Sequence, residues 1–246
     1  MSLTLLAIAL VFAAALLSMP LFALVHRGRP DADAVRKGSR FLLGVGDFLV
    51  HWFMWAISPL ERALLRAGAG PDHMNALGLL FGLASGIAIA LGRLELGGAA
   101  IALAGVCDIL DGRLARAQKV ASPYGKFIDA TLDRFVETAA FLGFAVYFAG
   151  RPWGPLVVAA GLGGSLLVSY AQARGETVGV SGSGGLMQRA ERLSLQILGC
   201  LFDPALCRGL GLAEGTVLFW LLVVMAIGAL GTAVHRTLWI ARRLRD

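Results

Sequence analysis

Long apolar runs separated by short polar stretches dominate this chain, and their lengths decide what they can be. A hydrocarbon core of about 30 Å takes about 20 helical residues to cross. Seven runs approach that length: residues 3–25, 74–91, 96–114, 127–148, 156–173, 193–206 and 217–239, the sixth being the shortest. The pattern predicts an all-α, polytopic membrane protein. Between the first two runs, residues 41–65 mix Phe, Trp and Leu with Asp47, His51, Glu61, Arg62 and Arg66. Such a mixture predicts an amphipathic helix lying in the interface rather than crossing it. The first run also has the look of a secretory signal, but no Lys or Arg precedes it and it exceeds a usual signal core, so an uncleaved anchor is expected. The chain then divides into an anchor at 1–26, a juxtamembrane segment at 27–70 and a transmembrane domain at 71–246.

Composition agrees with a membrane location. Hydrophobic residues make up 57% of the chain and charged residues 15%, and the mean hydropathy is +0.74, which excludes an ordinary soluble domain. The net charge of +6 does not call for nucleic acid as a partner, because the basic residues gather at the ends of apolar runs. Of 22 Lys and Arg, only Arg93, Arg151 and Arg208 fall on one side of the predicted membrane, with Arg134 inside a run. The crowded side is therefore expected to face the cytoplasm. Cys107, Cys200 and Cys207 lack metal-type spacing and read as small packing residues. The Gly/Ser-rich stretch 179–185 predicts a flexible loop on the crowded side. Trp52, Trp55, Trp153, Trp220 and Trp239 mostly lie near run ends, where aromatic anchoring accounts for them.

Four acids interrupt this apolar landscape at the junction of the third and fourth runs: Asp108, Asp111, Asp129 and Asp133. Each costs about 2.5–3.5 kcal/mol near the centre of a membrane helix and less towards its ends, so the set needs a role that offsets it. Helical spacing puts Asp108 and Asp111 on one face, and Asp129 and Asp133 on one face of the next helix. Residues 119–122 leave room only for a tight turn, with Pro123 suited to a first helical turn, so the two pairs can oppose each other. Clustered carboxylates repel unless a cation joins them, and all-oxygen ligands favour a hard one. Mg²⁺ is expected first, with Mn²⁺ or Ca²⁺ open, and two ions would suit phosphoryl transfer. Gly112, Ala115 and Gly125 leave space for a bulky ligand, while Arg116 and Lys119 supply charge for a pyrophosphate.

These residues carry a resemblance. From Asp108 to Asp133 the chain follows the pattern D-x2-D-G-x2-A-R-x8-G-x3-D-x3-D, and on it resembles the CDP-alcohol phosphotransferases. The resemblance implies a six-helix membrane core, here with an added N-terminal helix, and a homodimer. It implies that Asp108, Asp111 and Asp129 bind metal, with Asp133 beside them as base towards an acceptor hydroxyl. Gly112, Ala115 and Arg116, together with Gly125 and Asn75, would line the site for the cytidine nucleotide of a CDP-lipid. Asn75 follows Pro71-Asp72 where relatives often carry Thr.

The fifth run ends in Ser169-Tyr170-Ala171-Gln172-Ala173-Arg174-Gly175-Glu176, and the next polar stretch closes with Arg189-Ala190-Glu191-Arg192. This layout is similar to the phosphatidylinositol-phosphate synthase branch of that family, with Gln172 standing where the branch commonly has Arg. The resemblance implies that Arg174, Arg189 and Arg192 hold a phosphorylated acceptor, inositol phosphate first and glycerol phosphate as the alternative, with release of CMP. The same arginines also suit a plain cytoplasmic boundary. Glu137 continues the face of Asp129 and Asp133, and Arg134 adjoins Asp133, an arrangement read either as a structural ion pair or as tuning of that carboxylate. A divalent-cation or proton transporter is the rival from another class, but its acids would be spread along a route rather than gathered at one face.

Overall fold

A computed structural model describes residue 14 and residues 17–24, 46–180 and 185–245. Most of the expected anchor at 1–26, the start of the expected interfacial helix and residues 181–184 of the expected loop lie outside the described residues; residues 14 and 17–24 are helical. Seven longer helices follow: α1 (Gly46–Arg66), α2 (Pro71–Ala90), α3 (Leu94–Ala117), α4 (Pro123–Tyr147), α5 (Gly154–Thr177), α6 (Arg189–Leu210) and α7 (Thr216–Arg243). No strand occurs among the described residues. Helix α1 occupies the stretch expected to be amphipathic, and α2 to α7 coincide with the last six apolar runs.

Among the described residues, α2, α5, α6 and α7 are long and apolar enough to cross a membrane. Helices α3 and α4, which the sequence pattern counted as spans, do not meet that measure. The reason is chemical: Glu95, Asp108, Asp111, Arg113 and Arg116 break the run on α3, and Lys126, Asp129, Asp133, Arg134 and Glu137 break it on α4.

Packing divides the chain into two compact units. One comprises the described residues up to Met74 together with Leu110–Ala121. Within it, the apolar face of α1 meets the preceding helical stretch: Phe22 packs on Phe48 and Trp55 with ring centroids 5.6 Å apart in both pairs, and the Trp52 indole donates to Ser18 Oγ at 2.9 Å. Arg113, near the end of α3, donates through Nε to Glu61 Oε2 at 2.6 Å. Gln118 donates to the Ala69 carbonyl at 2.7 Å.

The other unit comprises Asn75–Ile109 and Ser122–Asp246. Helix α7 packs against α5 and α6, and α5 against α4, around Ile89, Phe141, Phe144, Phe148, Leu218, Leu222 and Met225. Small residues bring α2 and α4 together: a Cβ on Gly143 would collide with the backbone of Gly86, and one on Gly86 with the Ala139 carbonyl, the close approach typical of helices in lipid. Pro123 stands in the first turn of α4, as its sequence predicts, and Ser122 caps the helix by accepting from the Gly125 amide at 3.2 Å. Asp203 of α6, fully buried, accepts from the amides of Gly215 and Leu218 at 2.6 and 2.8 Å and so caps α7 from another helix. Leu80, Ile87, Leu142, Trp220 and Ile227 stay exposed, as an apolar surface meant for lipid would.

Candidate active site

The spacing of the acids on α3 and α4 becomes a group in space. Carboxylate oxygens of Asp108, Asp111 and Asp129 lie within 4.8 Å of one another. Asp108 and Asp111 keep one geometry because α3 runs unbroken through both, three residues apart on one face. Three carboxylates at this separation fit a hard divalent cation, which would offset both their mutual repulsion and the cost of removing them from water.

Asp133, expected as a fourth member, does not join that group. Arg189, in the first turn of α6, holds it instead: one guanidinium nitrogen donates to Asp133 Oδ1 and another to Asp108 Oδ2 at 2.7 Å. A planar fork suits two acceptors in this way better than an ammonium would. Arg134 approaches Asp133 Oδ2 at 3.6 Å and Glu137 Oε2 at 3.7 Å, and donates to Ser169 of α5. The pair expected between Arg134 and its neighbouring acids is thus present.

One turn deeper, Arg192 donates through Nε and Nη2 to Glu137 Oε1, both at 3.2 Å, and through Nη1 to the Met187 carbonyl at 3.3 Å. The two side chains are only 1% and 8% exposed, so the hydrogen bonds are what make their burial tolerable.

The other expected site residues are placed as follows. Gly112, Ala115, Gly125 and Asn75 are half-buried. The Arg116 guanidinium folds back over Gly112, 3.3 Å from where a Cβ would stand. Arg174 is exposed in the last turn of α5, and Glu176, two residues on, pairs with Lys126 of α4 at 3.5 Å. The three arginines expected at the acceptor therefore sit in different settings: Arg189 among the acids, Arg192 beneath it on Glu137, Arg174 at the surface. Gln172 accepts from Arg236 at 2.9 Å and donates to Glu176 at 3.2 Å.

Two buried ionisable residues escaped the sequence reading. Arg236, 2% exposed, donates to the Val168 carbonyl as well as to Gln172, and Asp203 caps α7. The signal for both was an ionisable residue inside an apolar helix; Arg236 was counted only as a charge at the end of a run.

Comparison with known proteins gives one consistent result. The profile of the CDP-alcohol phosphatidyltransferase family matches residues 70–227. The phosphatidylinositol phosphate synthase of Mycobacteroides abscessus is 36% identical over 188 residues, which is 73% of this chain and 80% of that protein. An archaetidylinositol phosphate synthase of Methanothermobacter thermautotrophicus is 30% identical over 178 residues, 71% of this chain and 84% of the relative. Among solved structures, the phosphatidylinositol phosphate synthase of Mycobacterium tuberculosis with CDP-DAG bound aligns with a TM-score of 0.64 at 28% identity, covering 74% of this chain and 92% of that one. The same enzyme in complex with manganese and citrate gives a TM-score of 0.65 at 27% identity, covering 74% and 87%.

Proposed function

This chain belongs to the CDP-alcohol phosphatidyltransferase family, and from that premise we propose that it moves a phosphatidyl group from CDP-diacylglycerol to inositol phosphate, releasing CMP. The observation that carries the reading is the acid group of Asp108, Asp111 and Asp129 with Arg189 clasping its edge. The acceptor follows from two supports: the relatives named above are inositol phosphate lipid synthases, and Arg189 touches both Asp108 and Asp133. A phosphorylated alcohol gripped by that guanidinium is held beside the carboxylate that must take its proton.

We assign metal binding to Asp108, Asp111 and Asp129, with Asp133 at the edge of the group and two ions, Mg²⁺ before Mn²⁺, as the complement. Bound divalent metal supplies charge neutralisation for a pyrophosphate. The chain supplies the rest. Gly112 and Ala115 leave room for the nucleotide, Arg116 and Asn75 border it, and Gly125 lets the start of α4 approach. Asp133 accepts the acceptor's hydroxyl proton as that oxygen bonds to the phosphatidyl phosphorus and the bond to CMP breaks. Arg174 adds an exposed cation on the same polar side. The site faces the cytoplasm in this reading, and two copies form a dimer.

The deciding assay offers purified protein CDP-diacylglycerol and Mg²⁺ with inositol phosphate, glycerol phosphate, inositol or serine in separate reactions. CMP release with inositol phosphate alone is the expected result. Release only with glycerol phosphate would move the acceptor, a change that Gln172, which brings no cation, would help explain. No release with any alcohol would remove the reading.

A further inference from the structure

Beneath the acids, α4 and α6 are joined by two rungs. On α4, Asp129, Asp133 and Glu137 follow one another at intervals of four, which makes a stripe along one face; on α6, Arg189 and Arg192 are three apart and also share a face. Asp133 meets Arg189, and Glu137 meets Arg192. The rungs differ in setting. Arg189 keeps 31% of its side-chain surface, whereas Arg192 and Glu137 keep 1% and 8%. The upper rung can exchange partners with an incoming ligand; the lower one cannot be reached.

We propose that Glu137 is a positioning residue that acts through Arg192 to hold the first turn of α6 in register, so that Arg189 is presented to Asp108, Asp133 and the acceptor phosphate. Four observations support it. Both hydrogen bonds from Arg192 end on the same Glu137 oxygen at 3.2 Å, a forked grip that fixes the guanidinium in its plane. The third bond of Arg192, to the Met187 carbonyl at 3.3 Å, ties down the backbone two residues before Arg189. Met187 in turn is anchored by its amide to Thr232 Oγ1 of α7 at 3.0 Å. Arg134 links the rungs within α4, reaching Asp133 and Glu137 at 3.6 and 3.7 Å. A shift of Glu137 is therefore passed to Arg189 along the backbone and to Asp133 through Arg134.

The inference rests on the proposed transferase reading. Its test is steady-state kinetics of Glu137→Gln, Arg192→Lys, Arg189→Ala and the double variant Glu137→Gln/Arg189→Ala, with CDP-diacylglycerol and inositol phosphate varied separately. Glu137→Gln is expected to raise the acceptor KM about tenfold and leave the donor KM within about twofold, the mark of a lost acceptor interaction. A loss of folded enzyme lowers Vmax and moves neither KM. Adding Glu137→Gln to Arg189→Ala is expected to change the acceptor KM little further, because both act through one guanidinium. Arg192→Lys keeps the charge and loses the fork, and should show the same split more weakly; it serves if Glu137→Gln does not fold. Unchanged KM values, or effects that multiply in the double variant, would overturn the proposal. A wild-type enzyme that transfers to no alcohol would instead strike down the transferase reading, and with it the premise of the inference.

Discussion

Asp129 and Asp133 lie one helical turn apart, yet the structure gives them different company: Asp129 joins Asp108 and Asp111, while Asp133 is held by Arg189 and Arg134. Their substitutions should therefore separate. Asp129→Asn removes one of three clustered ligands and is expected to weaken Mn²⁺ binding at least tenfold, read by electron paramagnetic resonance of the titrated protein. Asp133→Asn is expected to leave that titration nearly unchanged and to slow CMP release by about 10²–10⁴, the usual contribution of a positioned base. Wild-type turnover in Asp133→Asn would take the base role from it. Arg192 teaches the same lesson in reverse. Its place in the sequence suggested a hand on the acceptor, and the structure buries it on Glu137, one turn below Arg189.

At the level of elements, the crossing of α2 and α4 depends on the absence of side chains at two positions. Gly143→Leu must push the Gly86 backbone away, and it is expected to cost at least about 1–3 kcal/mol as overpacking. Gly105→Ala on α3, which would meet nothing within 4 Å, is the matched control and should unfold at the wild-type temperature in detergent. Equal melting temperatures for both would show that the crossing is not tight. The elements themselves were legible because their causes are local. Apolar runs of membrane length, the amphipathic mixture of α1, Pro123 at the head of α4, and acid spacings of three and four are all written within a few turns of helix. The three-acid group was legible for the same reason, since a short turn between α3 and α4 forces their ends together. The lower rung was half visible: Glu137 stood out on its face, but Arg192 is 55 positions away, and no periodicity within one helix records which side chain of another will reach it. Asp203 and Arg236 were hidden by the same distance. Helices α3 and α4 fall short of the apolar composition of the other spans because they carry the charges of the candidate site.

For the molecule as a whole, the sorting of basic residues makes a topological prediction. Lys126 lies in the first turn of α4 and Trp153 in the turn between α4 and α5, 80% and 73% exposed, while the thiols of Cys107, Cys200 and Cys207 are buried. A membrane-impermeant thiol reagent is expected to label Lys126→Cys only in inside-out vesicles and Trp153→Cys only in right-side-out ones. The reverse pattern would place the site on the outer face and overturn the charge argument.

Asp203 lies 14 residues beyond Arg189 on α6, about 20 Å along the axis at 1.5 Å per residue, so the capped end of the helix is remote from the chemistry. Among the described residues, its carboxylate accepts from the amides of Gly215 and Leu218, at the start of α7. Without α7 that buried side chain would lose both amide donors, a cost that falls on α6 itself. The seventh helix thus secures the sixth at the end away from the acids, so the two ends of α6 answer to different neighbours: one to the candidate site, the other to the fold alone.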